Sequence, residues 1–288
     1  MNLKIKSVLI IHKKTFFEFY FLKKTKKQKE GLLSRAETAR FRSMHNEHYK
    51  ALEEVEGVLR SMDIQYKTIC RQANINYHKH DFVITVGGDG TFLQAARELK
   101  KEMILGVNSD PDRSVGRFCG ATKQNFKTIF RQIISGQKRL TSISRLSVTS
   151  RKHKTTWQVA NDVLVCDQNP SAMSRYNLNA NGIKEYQRSS GVWFSTSAGS
   201  TGAMRSAGGR TLKLLSNKFL YQPRELYFFK NHKYLLKGGL LDLSKPVLLR
   251  SSMYDGVIYF DGAHCHVTFG FGDQICISES RYPLKAFL

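Results

Sequence analysis

Val83-Ile84-Thr85-Val86 runs directly into Gly87-Gly88-Asp89-Gly90-Thr91 and then Phe92-Leu93. The apolar, β-branched run predicts a buried strand, and residues 91–101 have helical spacing. Glycines between the two let the backbone turn tightly and let its amides approach phosphate oxygens. The helix that follows adds its N-terminal amides and dipole. An aspartate inside such a loop would repel phosphate, so its presence suits accepting a hydroxyl proton or helping to hold magnesium. A tight turn with Asp89 as helix N-cap is the structural alternative. The loop holds neither Gly-Lys-Ser/Thr nor the Gly-x-Gly-x-x-Gly spacing, so it is neither a Walker A loop nor a Rossmann fingerprint.

The surrounding chain supplies more of the same layer. Residues 7–11 predict a buried strand. Residues 45–62 carry Leu52, Val55, Val58 or Leu59, and Met62 at amphipathic-helix spacing. Strands are predicted over 64–70, 81–86 and 103–107, and a last helix over 123–135. This order predicts a parallel α/β layer. After about residue 137 come short alternating runs at 140–150, 156–166, 175–178, 191–195, 247–250, 256–260, 264–269 and 274–278. Gly, Asn and Ser turns separate them, an all-β pattern. The expected organisation is α/β plus all-β: an α/β domain over 1–137, a β-rich domain over 138–270, and a segment 271–288 returning to the first domain. The basic stretch 13–29, with Lys14, Lys23, Lys24, Lys26, Lys27 and Lys29, reads as a loop or surface helix whose lysines are mostly solvated.

Charge narrows the ligand. Lys and Arg number 46 against 23 Asp and Glu, a net +23, which attracts polyanions such as nucleotides or nucleic acid. A generally basic surface with no ligand meaning is the competing explanation. The five cysteines are scattered without a Cys-x-x-Cys pair, against a disulfide framework or zinc knuckle and in favour of a reducing, cytoplasmic setting. His264 with His266, and His78 with His80, fall short of the three or four ligands zinc wants, so no protein metal site is expected. No run approaches the ~20 apolar residues of a membrane span.

Gly87-Gly88-Asp89-Gly90-Thr91 after a strand resembles the signature shared by NAD kinases and the diacylglycerol and sphingosine lipid kinases. Later segments favour the former. Gly106-Val107-Asn108-Ser109-Asp110-Pro111 resembles the second NAD-kinase motif in the form of the mitochondrial and plant NADH-kinase-like branch. Ala160-Asn161-Asp162 resembles the family's Asn-Glu motif. Residues 195–201 with Ser206-Ala207-Gly208-Gly209 resemble its third glycine-rich motif, and residues 14–19 the opening of that branch. The similarity runs from the first strand to about Gly262.

The resemblance implies a three-layer α/β nucleotide-binding domain followed by a β-sandwich. It implies transfer of the ATP γ-phosphate, with Mg2+, to the adenosine-ribose 2′-hydroxyl of NAD or NADH. Asp89 would be the general base, and Gly87, Gly88, Gly90, Thr91 and Asn108 would line the phosphate path. Asn161 and Asp162 would hold a ribose or the nicotinamide side, Ser200, Thr201 and Ser206 the adenine and ribose region. Taken without the resemblance, a bulge or turn inside a strand is the minority alternative for Asn161-Asp162, and a tight loop into a helix that for the 199–209 segment. Asp261-Gly262 reads as a turn. Arg113 and Arg117 are positioned to neutralise phosphate, or to lie in solvent.

Bacterial relatives usually carry Asp and Tyr where this chain has Ser190 and Ala203, which removes an anchor and a stacking face. Ser190-Gly191 resembles the NADH-preferring branch, and Asp162 is one methylene shorter than the usual Glu. The implied assembly is a homodimer or homotetramer. A lipid kinase, or a basic nucleic-acid-binding protein, is the alternative.

Overall fold

Three apolar runs of the first half, with a more polar strand at their edge, form the parallel heart of one sheet. The computed structural model describes residues 3–22, 33–71, 75–229, 232–242 and 245–288. Lys23, Lys24, Lys26, Lys27 and Lys29 of the basic stretch lie outside the described residues. The chain divides into two units, Met1–Thr141 with Lys285–Leu288, and Ser142–Leu284.

In the first unit the elements are β1 (Ser7–His12), α1 (Arg35–Ser61), β2 (Gln65–Cys70), β3 (Phe82–Gly87), α2 (Asp89–Glu98), β4 (Met103–Asn108), β5 (Ala121–Thr122) and α3 (Phe126–Ile134). The sheet order is β2-β1-β3-β4, all parallel. Alternation along the strands gives it two buried faces. Val8, Ile10, Phe82, Ile84, Leu105 and Val107 pack with α1 and α3 on one. Helix α2, with Phe92, Leu93, Ala95 and Ala96 buried, packs on β3 and β1. The result is three layers.

Helix α1 begins at Arg35, ten residues before the apolar spacing indicates. Its N-terminus is set by a capping box instead: Ser34 Oγ accepts from the Glu37 amide at 3.1 Å, and Glu37 accepts from the Ser34 amide at 2.8 Å. The strand Leu284–Phe287 pairs parallel with β4, and Phe287 stacks on Phe82 with ring centres 5.8 Å apart.

The second unit holds two six-stranded sheets with antiparallel neighbours. One runs Ile183–Ser189, Ser174–Ala180, Val247–Ser251, Gln274–Glu279, Leu146–Ser150, Thr155–Val159. The other runs Gly239–Leu241, Phe219–Pro223, Val192–Ser195, Asp162–Asp167, Gly256–Phe260, His266–Thr268. Their inner faces share one core, in which Leu146, Tyr176 and Leu249 of the first pack with Val163, Phe194 and Ile258 of the second.

Two segments differ from the expected organisation. The single run at 156–166 is two strands in different sheets, because the Asp261 carboxylate takes the amides of Ala160 and Asn161. Within 271–288, the strand Gln274–Glu279 stays in the second unit and only Lys285–Leu288 join the first. No helix among the described residues is long and apolar enough to cross a membrane.

Candidate active site

From β1 the chain goes to β2 on one side and to β3 on the other. Ligands of open α/β sheets bind at the carboxyl ends of the strands where the order switches in this way. His12, Gly87 and Asn108 end β1, β3 and β4 there. Gly87-Gly88 leads straight into α2, whose first residue is Asp89. The first two glycines are crowded: a Cβ on Gly87 would lie 2.5 Å from Thr91 Oγ1, and one on Gly88 2.7 Å from Ser114 Oγ. Thr91 is buried, and its Oγ1 has no hydrogen-bond partner among the described residues.

Asp89 does not cap its helix. Gly88 holds the N-cap position, without a side-chain hydrogen bond. The Asp89 carboxylate instead takes the Arg117 amide on Oδ2 at 3.0 Å and the Phe118 amide on Oδ1 at 2.9 Å. Phe118 stacks on Phe92 of α2 at 5.3 Å, which fixes the amides that hold the carboxylate. Asp89 stays partly exposed beside the exposed Gly90.

Asn108 is 4% exposed, and both ends of its amide are engaged: Nδ2 donates to the Ser114 carbonyl at 2.8 Å, and Oδ1 accepts from the Asp110 amide at 3.1 Å. It shapes the 108–118 loop. Gly116 in that loop has φ +57°, and a Cβ there would collide with the Asn108 side chain. Arg113 pairs with Asp110 at 3.2 Å, and Arg117 meets Asp89 through its backbone.

Two cations missed in the sequence stand at the same strand ends. Arg71 follows β2, with Nη1 3.9 Å from where a Gly90 Cβ would be. Lys13 follows β1; burial, and then the Arg71 charge, hold its ammonium below the ordinary lysine pKa. Lys13 belongs to the stretch read as mostly solvated, and only its place directly after a strand could have marked it. Nearby, burial pulls His48 down to about 3, so the ring that meets Ser109 Oγ at 3.2 Å is neutral.

The second unit gathers the other predicted residues in two places. Around Asn161, the Thr196 amide and hydroxyl reach the carbonyls of Asn161 (2.9 Å) and Ala160 (2.6 Å), and a Cβ on Gly199 would strike the Asn161 backbone. Asn161 Oδ1 is buried without a partner among the described residues. Burial, and then the Asp261 carboxylate, push Asp162 up to about 7. Asp261, read from sequence as a turn residue, thus also holds the Ala160-Asn161 backbone. Ser200 is fully buried and its hydroxyl is engaged with the Ser197 carbonyl (2.7 Å) and the Leu212 amide (2.8 Å), whereas Thr201 is exposed. Ala203 and Ser206 line a separate groove with Trp193 and Arg224. Ser190 lies in the adjoining depression, which also contains Arg224.

The model of the ATP-NAD kinase N-terminal domain matches residues 9–137. A probable NADH kinase of Oryza sativa subsp. japonica is 32% identical over 264 residues, covering 84% of this chain and 81% of the relative. The chain belongs to the NAD kinase family. The NADH kinase of Arabidopsis thaliana is a further relative, 30% identical over 272 residues and covering 84% of this chain and 83% of its own. In fold, the chain resembles the crystal structure of an Archaeoglobus fulgidus NAD kinase in complex with ATP, with TM-score 0.68 at 20% identity over 98% of this chain and 93% of that one. It also resembles yeast NADH kinase complexed with NADH, with TM-score 0.69 at 15% identity over 98% and 83%. The α/β unit and the antiparallel β unit are thus the architecture of an NAD kinase. Among the described residues of this family member, no group of three or more His, Cys, Asp or Glu side chains is gathered for a metal.

Proposed function

We infer that this chain is an ATP-dependent NAD(H) kinase that phosphorylates the adenosine-ribose 2′-hydroxyl of NAD or NADH. The observation that carries the chemistry is Asp89, a carboxylate fixed by two amides at the mouth of a glycine loop. Phosphoryl transfer depends on alignment and charge neutralisation. The Gly87–Thr91 loop offers amides and the unpartnered Thr91 hydroxyl to phosphate oxygens, and Lys13 and Arg71 bring positive charge to the same strand ends. Asp89 accepts the proton of the attacking hydroxyl, each carboxylate oxygen keeping a free acceptor site beside its amide bond. The donor set fits ATP carried as its magnesium complex, since magnesium is commonly held by phosphates with one or two carboxylates. When bound, the ion neutralises phosphate charge. Asn108 acts by shaping the loop.

In the second unit, the dinucleotide-binding domain of this reading, Asn161 offers its unpartnered carbonyl oxygen to a ligand N–H or hydroxyl. Asp162, whose pKa is pushed toward neutral pH by burial and then Asp261, can donate when protonated as well as accept when ionised. Thr201, Ala203, Ser206 and Ser190 present their surfaces to the ligand, and the buried Ser200 acts through the backbone. The five cysteines are unbridged, which suits the cytoplasm. A homodimer or homotetramer is the assembly that goes with this reading.

The test is NADP and NADPH formation from NAD or NADH with ATP and magnesium. Asp89→Asn is expected to lose at least about a hundredfold in kcat. Absence of product from the unaltered protein with either dinucleotide would sink the reading and turn attention to lipid acceptors.

A further inference from the structure

The groove beside Ala203 and Ser206 is also lined by side chains to which the roles above assign nothing. It encloses about 530 Å³ and is lined by Trp193, Ala203, Ser206, Ala207, Arg224 and Glu225. Trp193 lies on the strand Val192–Ser195 between the buried Val192 and Phe194, so alternation turns its indole away from the core. Trp157, the other tryptophan, stacks on Phe260 at 4.8 Å. No ring is stacked on Trp193 among the described residues. Ala203 brings only a methyl group to the groove, which leaves the indole as its one flat aromatic face.

Arg224 and Glu225 follow the strand Phe219–Pro223 and are held by the backbone. The Arg224 amide donates to the Gly191 carbonyl at 2.7 Å, and the Ser190 amide donates to the Arg224 carbonyl at 2.9 Å. Glu225 sits at φ +43°, a left-handed conformation uncommon outside glycine and worth a functional reading. Neither side chain makes an ion pair among the described residues. Both also line the adjoining depression of about 330 Å³ that contains Ser190. An indole face, an unpaired guanidinium, an unpaired carboxylate and the Ser206 hydroxyl in one groove match the parts of a nucleotide. Bases stack on aromatic faces, guanidinium forks take phosphate, and carboxylates accept from ribose hydroxyls.

We propose that Trp193, Arg224 and Glu225 bind one nucleotide half of the dinucleotide, with the indole on its base, Arg224 on its phosphate and Glu225 on its ribose hydroxyls. This rests on reading the chain as an NAD(H) kinase, and two readouts separate the two ideas. Steady-state kinetics of the full chain give KM for the dinucleotide and for ATP. Quenching of tryptophan emission by NADH gives binding without turnover. Arg224→Ala is expected to raise the dinucleotide KM and the NADH concentration for half-quenching by about tenfold or more, with the ATP KM within about twofold. Arg224→Lys and Trp193→Phe should restore part of the affinity that Arg224→Ala and Trp193→Ala lose, which a misfolded variant would not do. Glu225→Gln should raise the dinucleotide KM less than Arg224→Ala. An active enzyme whose dinucleotide KM is unchanged in Arg224→Ala and Trp193→Ala overturns the groove and leaves the kinase standing. An inactive protein whose NADH binding still depends on Arg224 overturns the kinase and keeps the groove.

Discussion

Asp162 shows what one buried carboxyl does to pH dependence. Burial, and then its neighbour Asp261, raise it from 3.8 to about 7. Below pH about 4 it is protonated both folded and unfolded, and its contribution to stability is fully present. As pH rises through about 7 the unfolded chain has already released its proton while the folded chain holds it, so that stability is lost. Asp162→Asn removes the titration. Its Tm relative to wild type should therefore climb between pH 5 and 8, by at least the 2–4 °C or so that one kcal/mol makes in a protein of this size. Parallel Tm curves would show that Asp162 ionises freely. At this scale the sequence was readable where chemistry sat in one string, as at Gly87–Thr91. It was unreadable where the partner is remote: Asp261 lies a hundred residues from Asn161, and Arg224 and Glu225 resemble any polar pair after a strand.

At the scale of elements, the strand Leu284–Phe287 is short but deeply placed. Phe287 is fully buried and joins the core of α1, α3 and β3. Phe287→Ala should cost about 3–5 kcal/mol through the cavity it leaves. A urea titration that showed a change of less than about 1 kcal/mol would mean the strand is dispensable. The core strands β1, β3 and β4 were legible because both their faces are buried and apolar. The first ten residues of α1 were not, since a largely exposed helix carries no apolar stripe and only Ser34 and Glu37 announce it. Nor were the strands Ile183–Ser189 and Phe219–Pro223 picked out, the first because Lys184, Glu185 and Arg188 interrupt its pattern.

For the whole molecule the +23 charge sets association more than fold. Under the proposed function, Lys13 and Arg71 bring part of it to the strand ends that would receive a nucleotide phosphate. Attraction over distance is screened within about 10 Å at 0.1 M salt. Between roughly 20 and 300 mM KCl, kcat/KM for the dinucleotide should fall several-fold while kcat changes little. A salt-independent kcat/KM would show that the excess charge lies away from the site. The charge alone named no partner, because it is equally compatible with nucleic acid. Membership of the NAD kinase family is what favours nucleotides.

Gly116 and Asn108 occupy one space, and Gly87 and Thr91 another. In evolutionary terms these pairs are epistatic. A larger residue at Gly116 meets the Asn108 side chain and is strained at φ +57° besides, and the loop that presents the Arg117 and Phe118 amides to Asp89 shifts with a change at either position. Changes within residues 108–118 are thus tied to one another through the loop, whereas Ser190 and Ala203 face open grooves, where a change is felt first by whatever binds there.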